Sequence, residues 1–193
     1  MSNNNLASSW IMANWNVPTC INAGTTTRHG GGSQLPYDSL NLASHVGDNT
    51  ETVRLNRDYI RHLLTLPAEP IWLNQVHGTR IIKPGETDNL DADGIYTDQS
   101  GIVCAVLTAD CVPLLMCDKD GMQIAAVHIG WRGFCSGIIQ NSVSLFSGNP
   151  NTMLAWIGPH IGENAYEVGD DVYRACINKN KYLDKAFKKN LRG

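Results

Sequence analysis

The sequence predicts an α+β fold, and three features of the chain support this class. Apolar runs of strand length occupy residues 112–117 and 123–129, and the Asp118–Gly121 segment between them has the composition of a hairpin turn. Apolar residues recur at helical spacing in a separate stretch, residues 53–64. Adjacent hairpin strands flanked by helices favour α+β over a strict alternation of parallel strands and helices.

The N-terminal half begins with a strand predicted at residues 20–27, which runs into a glycine-rich turn at residues 28–32. Asp48, Asn49 and Thr50 offer caps for the helix over residues 53–64, and Pro67 ends it. Residues 71–76 are expected to be extended and to stop at His77 and Gly78.

The C-terminal half carries a nearly all-apolar run at residues 102–107, which predicts another buried strand before residues 112–117. After the strand at 123–129 we predict a turn at residues 130–133. Three elements then follow in order: a helix at 134–146, a strand at 152–157 and a helix at 168–178.

Length and composition limit the domain count and the class of partner. A chain of 193 residues with 42% hydrophobic and 17% charged residues is expected to form one domain, residues 1–193. A net charge of −3 argues against nucleic acid or an anionic membrane as partner, because no basic field recruits phosphates. No bilayer-spanning run or export signal is found, so we expect a cytoplasmic protein with its six cysteines reduced.

Three potential metal ligands fall where predicted strands meet turns: His77, Cys111 and His128. Two imidazoles and a thiolate suit zinc and leave a fourth tetrahedral position for water or substrate. Their separations of 34 and 17 residues match no compact zinc signature. An inert buried cysteine and two core histidines hydrogen-bonded to the backbone therefore remain an alternative.

Charged residues beside these elements suggest phosphate binding and proton transfer. If Phe134 begins a helix, its free N–H groups and the Arg132 guanidinium form a plausible phosphate site, to which Arg28 could contribute. Surface ion pairs are the alternative for both arginines. Asp93 and Asp110 are candidates for a general acid or base near the metal.

These motifs resemble, in order and combination, those of the YfiH-type family, also called the polyphenol-oxidase or laccase-domain family and the purine nucleoside phosphorylase family. The resemblance covers nearly the whole chain from about residue 23. The matching stretches are 26–31 (TTRHGG), 39–42 (SLNL), 45–48 (HVGD), 75–78 (QVHG), 91–94 (DADG), 108–113 (TADCVP), 128–133 (HIGWRG), 157–162 (IGPHIG) and 166–169 (YEVG).

The resemblance implies two packed mixed β-sheets flanked by helices, in a four-layer α/β/β/α order. It implies zinc ligands at His77, Cys111 and His128, with copper also possible. The implied activities are phosphorolysis of adenosine, inosine, guanosine and methylthioadenosine, and adenosine deamination. We expect Cys111, Asp110 and Asp93 to serve catalysis. The partners are a nucleoside and phosphate, and the protein is expected to be a monomer or homodimer. Substrate and phosphate are expected to be bound by Arg28, Asn41, Gln75 and Arg132.

The chain departs from the family pattern at two places. Family members usually carry alanine where this chain has Ile129. They also continue past the position of Gly193 with a strand–helix region that bears an arginine motif. The C-terminal part of the family domain is therefore expected to be absent from this chain.

The residues leave three other interpretations of the function open. Copper-dependent phenol oxidation by a multicopper centre needs many imidazoles, several in His-x-His pairs, whereas this chain has six histidines and no such pair. Copper would then have to occupy the single site. A cysteine hydrolase would use Cys111 as nucleophile with His77 or His128 as base. The last alternative is an inactive chain that retains only metal or ligand binding.

Overall fold

Two β-sheets form the framework in the computed structural model, which describes residues 9–179 and 181–189. The small sheet pairs β1 (Trp10–Met12) antiparallel to β2 (Gly24–Thr26). The large sheet has the order β3-β4-β6-β5-β7, in which only β3 and β4 are parallel. Its strands are β3 (Ile81–Ile82), β4 (Gly94–Thr97), β5 (Val112–Cys117), β6 (Ile124–Ile129) and β7 (Leu154–Ile157).

Within residues 9–179 and 181–189, four α-helices with described bounds accompany the sheets, so the predicted α+β class with two sheets is confirmed. They are α1 (Thr50–Leu63), α2 (Trp131–Ser136), α3 (Ile138–Ser144) and α4 (Asp170–Lys179), with 3₁₀ turns at Pro150–Thr152 and Lys181–Ala186. The large sheet is mixed as expected, whereas the small one is antiparallel. The predicted domain limits, residues 1 and 193, lie outside the described residues.

Helix α1 begins where the capping residues predict. The Asn49 side chain accepts a hydrogen bond from the Thr52 backbone N–H, which satisfies one of the free donors of the first turn. Val53 and Ile60 face inward, and the helix ends at Leu63, before Pro67. Within the described part of the chain, no helix is both long enough and apolar enough to cross a bilayer.

The alternation of β5 and β6 decides which side chains reach each face of the large sheet. Leu114, Met116 and Val127 point to one face, where Ile138 of α3 packs against them. Each such buried side chain contributes about 1.5–3 kcal/mol. Ala126, one position away from Val127, joins the core of the opposite face. His128 therefore projects from the face that α3 does not cover.

The helix predicted at residues 134–146 is present as two shorter helices. Gly137 divides α2 from α3 and has a φ of 98°, a left-handed conformation that glycine adopts without steric cost. Helix α2 also starts at Trp131 rather than Phe134. The expected turn at residues 130–133 is therefore largely the first turn of a helix, and Arg132 lies within it.

The strand predicted at residues 102–107 is wrong. This segment makes only an isolated bridge, between Cys104 and Ile71, because no strand runs beside it for a ladder. Residues 71–76 likewise make only isolated bridges, at Ile71 and Asn74. The strand expected at residues 20–27 is reduced to β2. Three strands, β1, β3 and β4, were not predicted from the sequence.

The expectation that all cysteines are reduced is wrong for one pair. Cys135 of α2 and Cys176 of α4 form a disulfide, with their Cα atoms 5.1 Å apart. The contact between these two helices brings together residues that are 41 positions apart in the sequence. The other cysteines, at positions 20, 104, 111 and 117, are free thiols.

Candidate metal centre

The three predicted metal ligands converge on one point. The ligand atoms of His77, Cys111 and His128 all lie within 4.8 Å of one another. The two imidazole rings meet edge to face, with centroids 4.8 Å apart and planes at 86°. Among residues 9–179 and 181–189, this is the one group of three or more His, Cys, Asp or Glu side chains close enough to share an ion.

Strand register explains how distant residues meet. Pro113 pairs with His128 across the β5–β6 ladder, so Cys111, just before β5, lies beside the end of β6. Gly94 pairs with Val127 across the β4–β6 ladder, which places Asp93 opposite His128. The backbone N–H of His128 donates to the Asp93 carbonyl at 2.7 Å and continues this pairing by one residue.

The Asp93 carboxylate lies behind both histidines and has no solvent exposure. Its Oδ1 is 2.8 Å from Nδ1 of His128 and accepts the His77 backbone N–H at 2.9 Å. Its Oδ2 accepts the backbone N–H of Gly78 at 2.6 Å and that of Val76 at 3.3 Å. A buried carboxylate requires partners of this kind, because an unpaired buried charge is costly.

The backbone at His77 adopts an uncommon conformation. Its φ is 58°, in the left-handed region that non-glycine residues seldom occupy. Gly130 faces the ring: a Cβ atom at this position would lie 2.7 Å from Cδ2 of His77. Glycine at position 130 therefore lets the His77 imidazole approach the end of β6, and left-handed residues of this kind cluster at functional sites.

Two of the ligands, buried His128 and half-buried Cys111, favour their neutral forms. Burial lowers the pKa of His128, although the hydrogen bond to Asp93 opposes this shift. Burial also raises the pKa of Cys111, and Asp110 and Asp93 reinforce that effect. A neutral imidazole is ready to bind a metal, whereas the thiol has to release a proton on binding.

The metal centre opens into a cleft of about 870 Å³ between the two sheets. Trp10 and Ile11 of the small sheet line one side, and Leu115 and Ala126 of the large sheet line the other. A volume of this size accommodates a small-molecule ligand. Among the described lining residues, Arg28 is the one lysine or arginine.

The sequence-predicted binding residues occupy different environments. Arg28 lines the cleft, and its Nε and Nη2 donate to the backbone carbonyl and the carboxylate of Asp38 at 2.7 and 3.1 Å. Arg132 is exposed, does not line the cleft and has its guanidinium 4.3 Å from the centroid of the Trp131 ring. The phosphate site built on the free N–H groups at Phe134 is absent, because Phe134 N donates to Gly130 O inside α2.

Two amide side chains that line the cleft are engaged in internal hydrogen bonds. The Gln75 amide pairs with both backbone groups of Leu107, donating at 2.7 Å and accepting at 2.6 Å. Asn41 donates to Asp48 at 2.9 Å and to the Ala43 carbonyl at 3.1 Å. Gln75 thus holds the 102–107 segment in place of a strand ladder, and Asn41 organises its own loop.

The two predicted acid–base residues, Asp110 and Asp93, differ in their exposure to solvent. Asp110 is exposed, lines the cleft and accepts a hydrogen bond from the Cys111 thiol. Asp93 has both oxygens engaged by N–H groups away from solvent. Asp38 and His45 line the cleft as well, yet neither was predicted as a site residue. The motif at residues 45–48 was the available signal for His45.

Known proteins resemble this chain both in sequence and in three-dimensional structure. The family model described as "Multi-copper polyphenol oxidoreductase laccase" matches residues 22–192. A Haemophilus influenzae protein named "Purine nucleoside phosphorylase" is 45% identical over 178 residues, covering 92% of this chain and 73% of that protein. The Escherichia coli K12 protein "Purine nucleoside phosphorylase YfiH" is 44% identical over 182 residues, covering 93% and 75%.

Solved structures show the same fold. A Neisseria meningitidis protein of family DUF152 superposes with a TM-score of 0.90 at 40% identity, covering 96% of this chain and 76% of that one. YlmD from Geobacillus stearothermophilus superposes with a TM-score of 0.81 at 32% identity, covering 88% and 68%. The arrangement of helices around two β-sheets is therefore shared with experimentally determined structures.

Proposed function

This chain belongs to the laccase-like, YfiH-type family, and from this premise we propose that it is a metal-dependent purine nucleoside phosphorylase. The single observation that carries the proposal is the convergence of His77, Cys111 and His128 at the wall of a cleft of nucleoside size. Relatives that are 44–45% identical to this chain carry the name purine nucleoside phosphorylase.

The donor set fits zinc. Two imidazole nitrogens and one thiolate are common zinc ligands, and three protein ligands leave one position of a tetrahedron open. Copper can bind the same donors, so it is the competing ion. A bound zinc ion would supply Lewis-acid stabilisation of negative charge at this wall of the cleft.

Arg28 is the proposed phosphate anchor. It brings the one guanidinium among the described residues of the cleft, and its Nη1 atom makes none of the hydrogen bonds to Asp38. A guanidinium fork matches the oxygens of phosphate. In phosphorolysis a phosphate oxygen attacks C1′ of the ribose while the bond from C1′ to N9 of the purine breaks. Arg28 would hold the attacking phosphate against the sugar.

Asp110 is the proposed proton donor. The departing purine takes up one proton, and Asp110 is exposed to the cleft beside Cys111. The Asp110 carboxylate would take up the proton that hydrogen phosphate loses as its oxygen bonds to C1′, and would pass this proton to a ring nitrogen of the leaving base. The same group could serve adenosine deamination, a second activity that we propose for this site. There water replaces the C6 amino group, which leaves as ammonia.

A cysteine hydrolase is disfavoured by the environment of its nucleophile. Burial raises the pKa of Cys111, and the carboxylates of Asp110 and Asp93 raise it further. An activated cysteine nucleophile needs the opposite shift, since the thiolate is the attacking form. Phenol oxidation by a multinuclear copper centre is disfavoured because all six histidines are described and only two share a site.

A substrate panel tests the proposal. Zinc-loaded protein would be incubated with adenosine, inosine, methylthioadenosine or a phenol, each with and without phosphate. Free base and ribose 1-phosphate formed only with phosphate would support phosphorolysis, and inosine formed from adenosine without phosphate would support deamination. Phenol oxidation by the copper-loaded protein, with no nucleoside turnover by either metal form, would contradict the proposal.

A further inference from the structure

Both imidazoles of the metal centre depend on one buried carboxylate. Asp93 is fully buried and receives four N–H groups, three from the backbone at residues 76–78 and one from the His128 ring. Asp93 itself does not line the cleft, whereas His77 and His128, which it contacts, do. Asp110, in contrast, is exposed and accepts a hydrogen bond from the Cys111 thiol.

The backbone contacts fix the position of His77. Three successive N–H groups can converge on two carboxylate oxygens only if the chain turns sharply around them. The left-handed φ of 58° at His77 provides this turn. Such a conformation persists only when surrounding contacts hold it, and the Asp93 carboxylate supplies three of them. The direction of the His77 side chain is thereby set from its own backbone.

The ring contact fixes the tautomer of His128. Because an ionised carboxylate can only accept a hydrogen bond, the 2.8 Å contact between Nδ1 of His128 and Oδ1 of Asp93 assigns the proton to Nδ1 and leaves the free lone pair on Nε2. Nε2 is then the atom that can bind a metal. A carboxylate behind a histidine ligand both orients the ring and raises its basicity.

We propose that Asp93 is a positioning residue that aligns both histidine ligands, one through its ring and the other through its backbone. This inference rests on the metal site of the proposed function. It replaces the proton-transfer role predicted for Asp93 from the sequence, because a saturated carboxylate with no exposure does not exchange protons with a bound nucleoside. Loss of Asp93 should therefore weaken metal binding itself, whether or not the protein turns over a nucleoside.

The test compares Asp93→Asn with Asp118→Asn. Asp118 is a matched control because its carboxylate also organises a loop, accepting the backbone N–H groups of Met122 and Gln123 at 2.7 and 3.0 Å, without contacting a histidine. Zinc affinity would be measured by chelator competition. The ring ¹⁵N shifts of His128 in the metal-free protein would report the tautomer. Near-UV circular dichroism would verify folding of both variants.

For Asp93→Asn we expect zinc affinity to fall by roughly 10–100-fold, the usual cost of losing an outer partner of a histidine ligand. The Nδ1-protonated tautomer of His128 should also lose its dominance. Asp118→Asn should retain the affinity and the tautomer of the wild-type protein. Equal zinc affinities in the two variants would overturn the proposal.

Measurement of the wild-type tautomer keeps the test decisive if Asp93→Asn does not fold. The metal-free wild-type protein should hold its proton on Nδ1 of His128, and a proton on Nε2 would refute the alignment. Neither measurement uses nucleoside turnover, so failure of the phosphorylase proposal leaves these results interpretable, and the reverse is also true.

Discussion

Two parts of the cleft region are built differently. At the candidate metal centre, His128 is 3% exposed and the Asp93 behind it 0%, and both lie on paired segments of the large sheet. At the second part, the Arg28 side chain is 64% exposed and pairs with Asp38, which is 46% exposed and lies on a loop. The difference indicates that the His128 ring is held in place before a ligand arrives, whereas the Arg28 side chain has room to rearrange around an anion.

The largest expected effect comes from removing a metal ligand. Cys111→Ser should lower zinc affinity by more than the roughly 10–100-fold that an outer partner contributes, and nucleoside turnover should fall with it. Chelator competition and product analysis would measure both. Cys20→Ser is the matched control, because Cys20 is an exposed free thiol away from the metal centre. Unchanged zinc binding in Cys111→Ser would show that this cysteine is not a ligand.

The second effect concerns the part of the cleft around Arg28. Arg28→Ala should raise the KM for phosphate, since losing hydrogen bonds to a charged group costs about 1.5–3 kcal/mol. This free energy corresponds to roughly 10–150-fold in binding. Zinc affinity should stay constant, because Arg28 does not belong to the ligand group. Arg132→Ala should leave the phosphate KM unchanged, and the reverse pattern would move the phosphate site to Arg132.

Thiol labelling tests metal ligation by Cys111 without an activity assay. Exposed Cys20 should react first with iodoacetamide at pH 8. Burial raises the pKa of Cys104 to about 12, so only about one part in ten thousand is thiolate at that pH. Burial likewise raises the pKa of Cys117 to about 11. Cys111 of the zinc-loaded protein should react only after chelation, and early labelling with zinc present would contradict metal ligation.

The smallest effect is a pH dependence of stability that arises from Asp48, the hydrogen-bond partner of Asn41. Hydrogen bonds from Asn41 and Ser33 lower the pKa of Asp48 from its ordinary value of 3.8. A lowered pKa in the folded state stabilises the protein above the ordinary value, and this contribution is lost as the pH falls. The Tm difference between wild type and Asp48→Asn should therefore shrink on acidification from pH 6 to below pH 4. A difference independent of pH would exclude this linkage.

Local pattern predicted the elements whose partners are close in sequence. The β5–β6 hairpin and α1 are confirmed, because a hairpin turn and an N-cap act within a few residues. The 102–107 segment has the composition of a buried strand but faces the cleft and lacks a ladder. Apolar composition reports burial alone, whereas a strand also needs a neighbouring backbone.

For the candidate site, the sequence by itself determined the donor chemistry: two imidazoles, a thiol and neighbouring carboxylates at the ends of predicted strands. Tertiary structure decided which of them act together. The register between β4 and β6 placed Asp93 behind His128, the left-handed turn at His77 brought a second imidazole to the same point, and helix contact joined Cys135 to Cys176. The physical reason is that side-chain chemistry is a property of each residue, whereas direction and proximity depend on backbone pairing between segments distant in the chain.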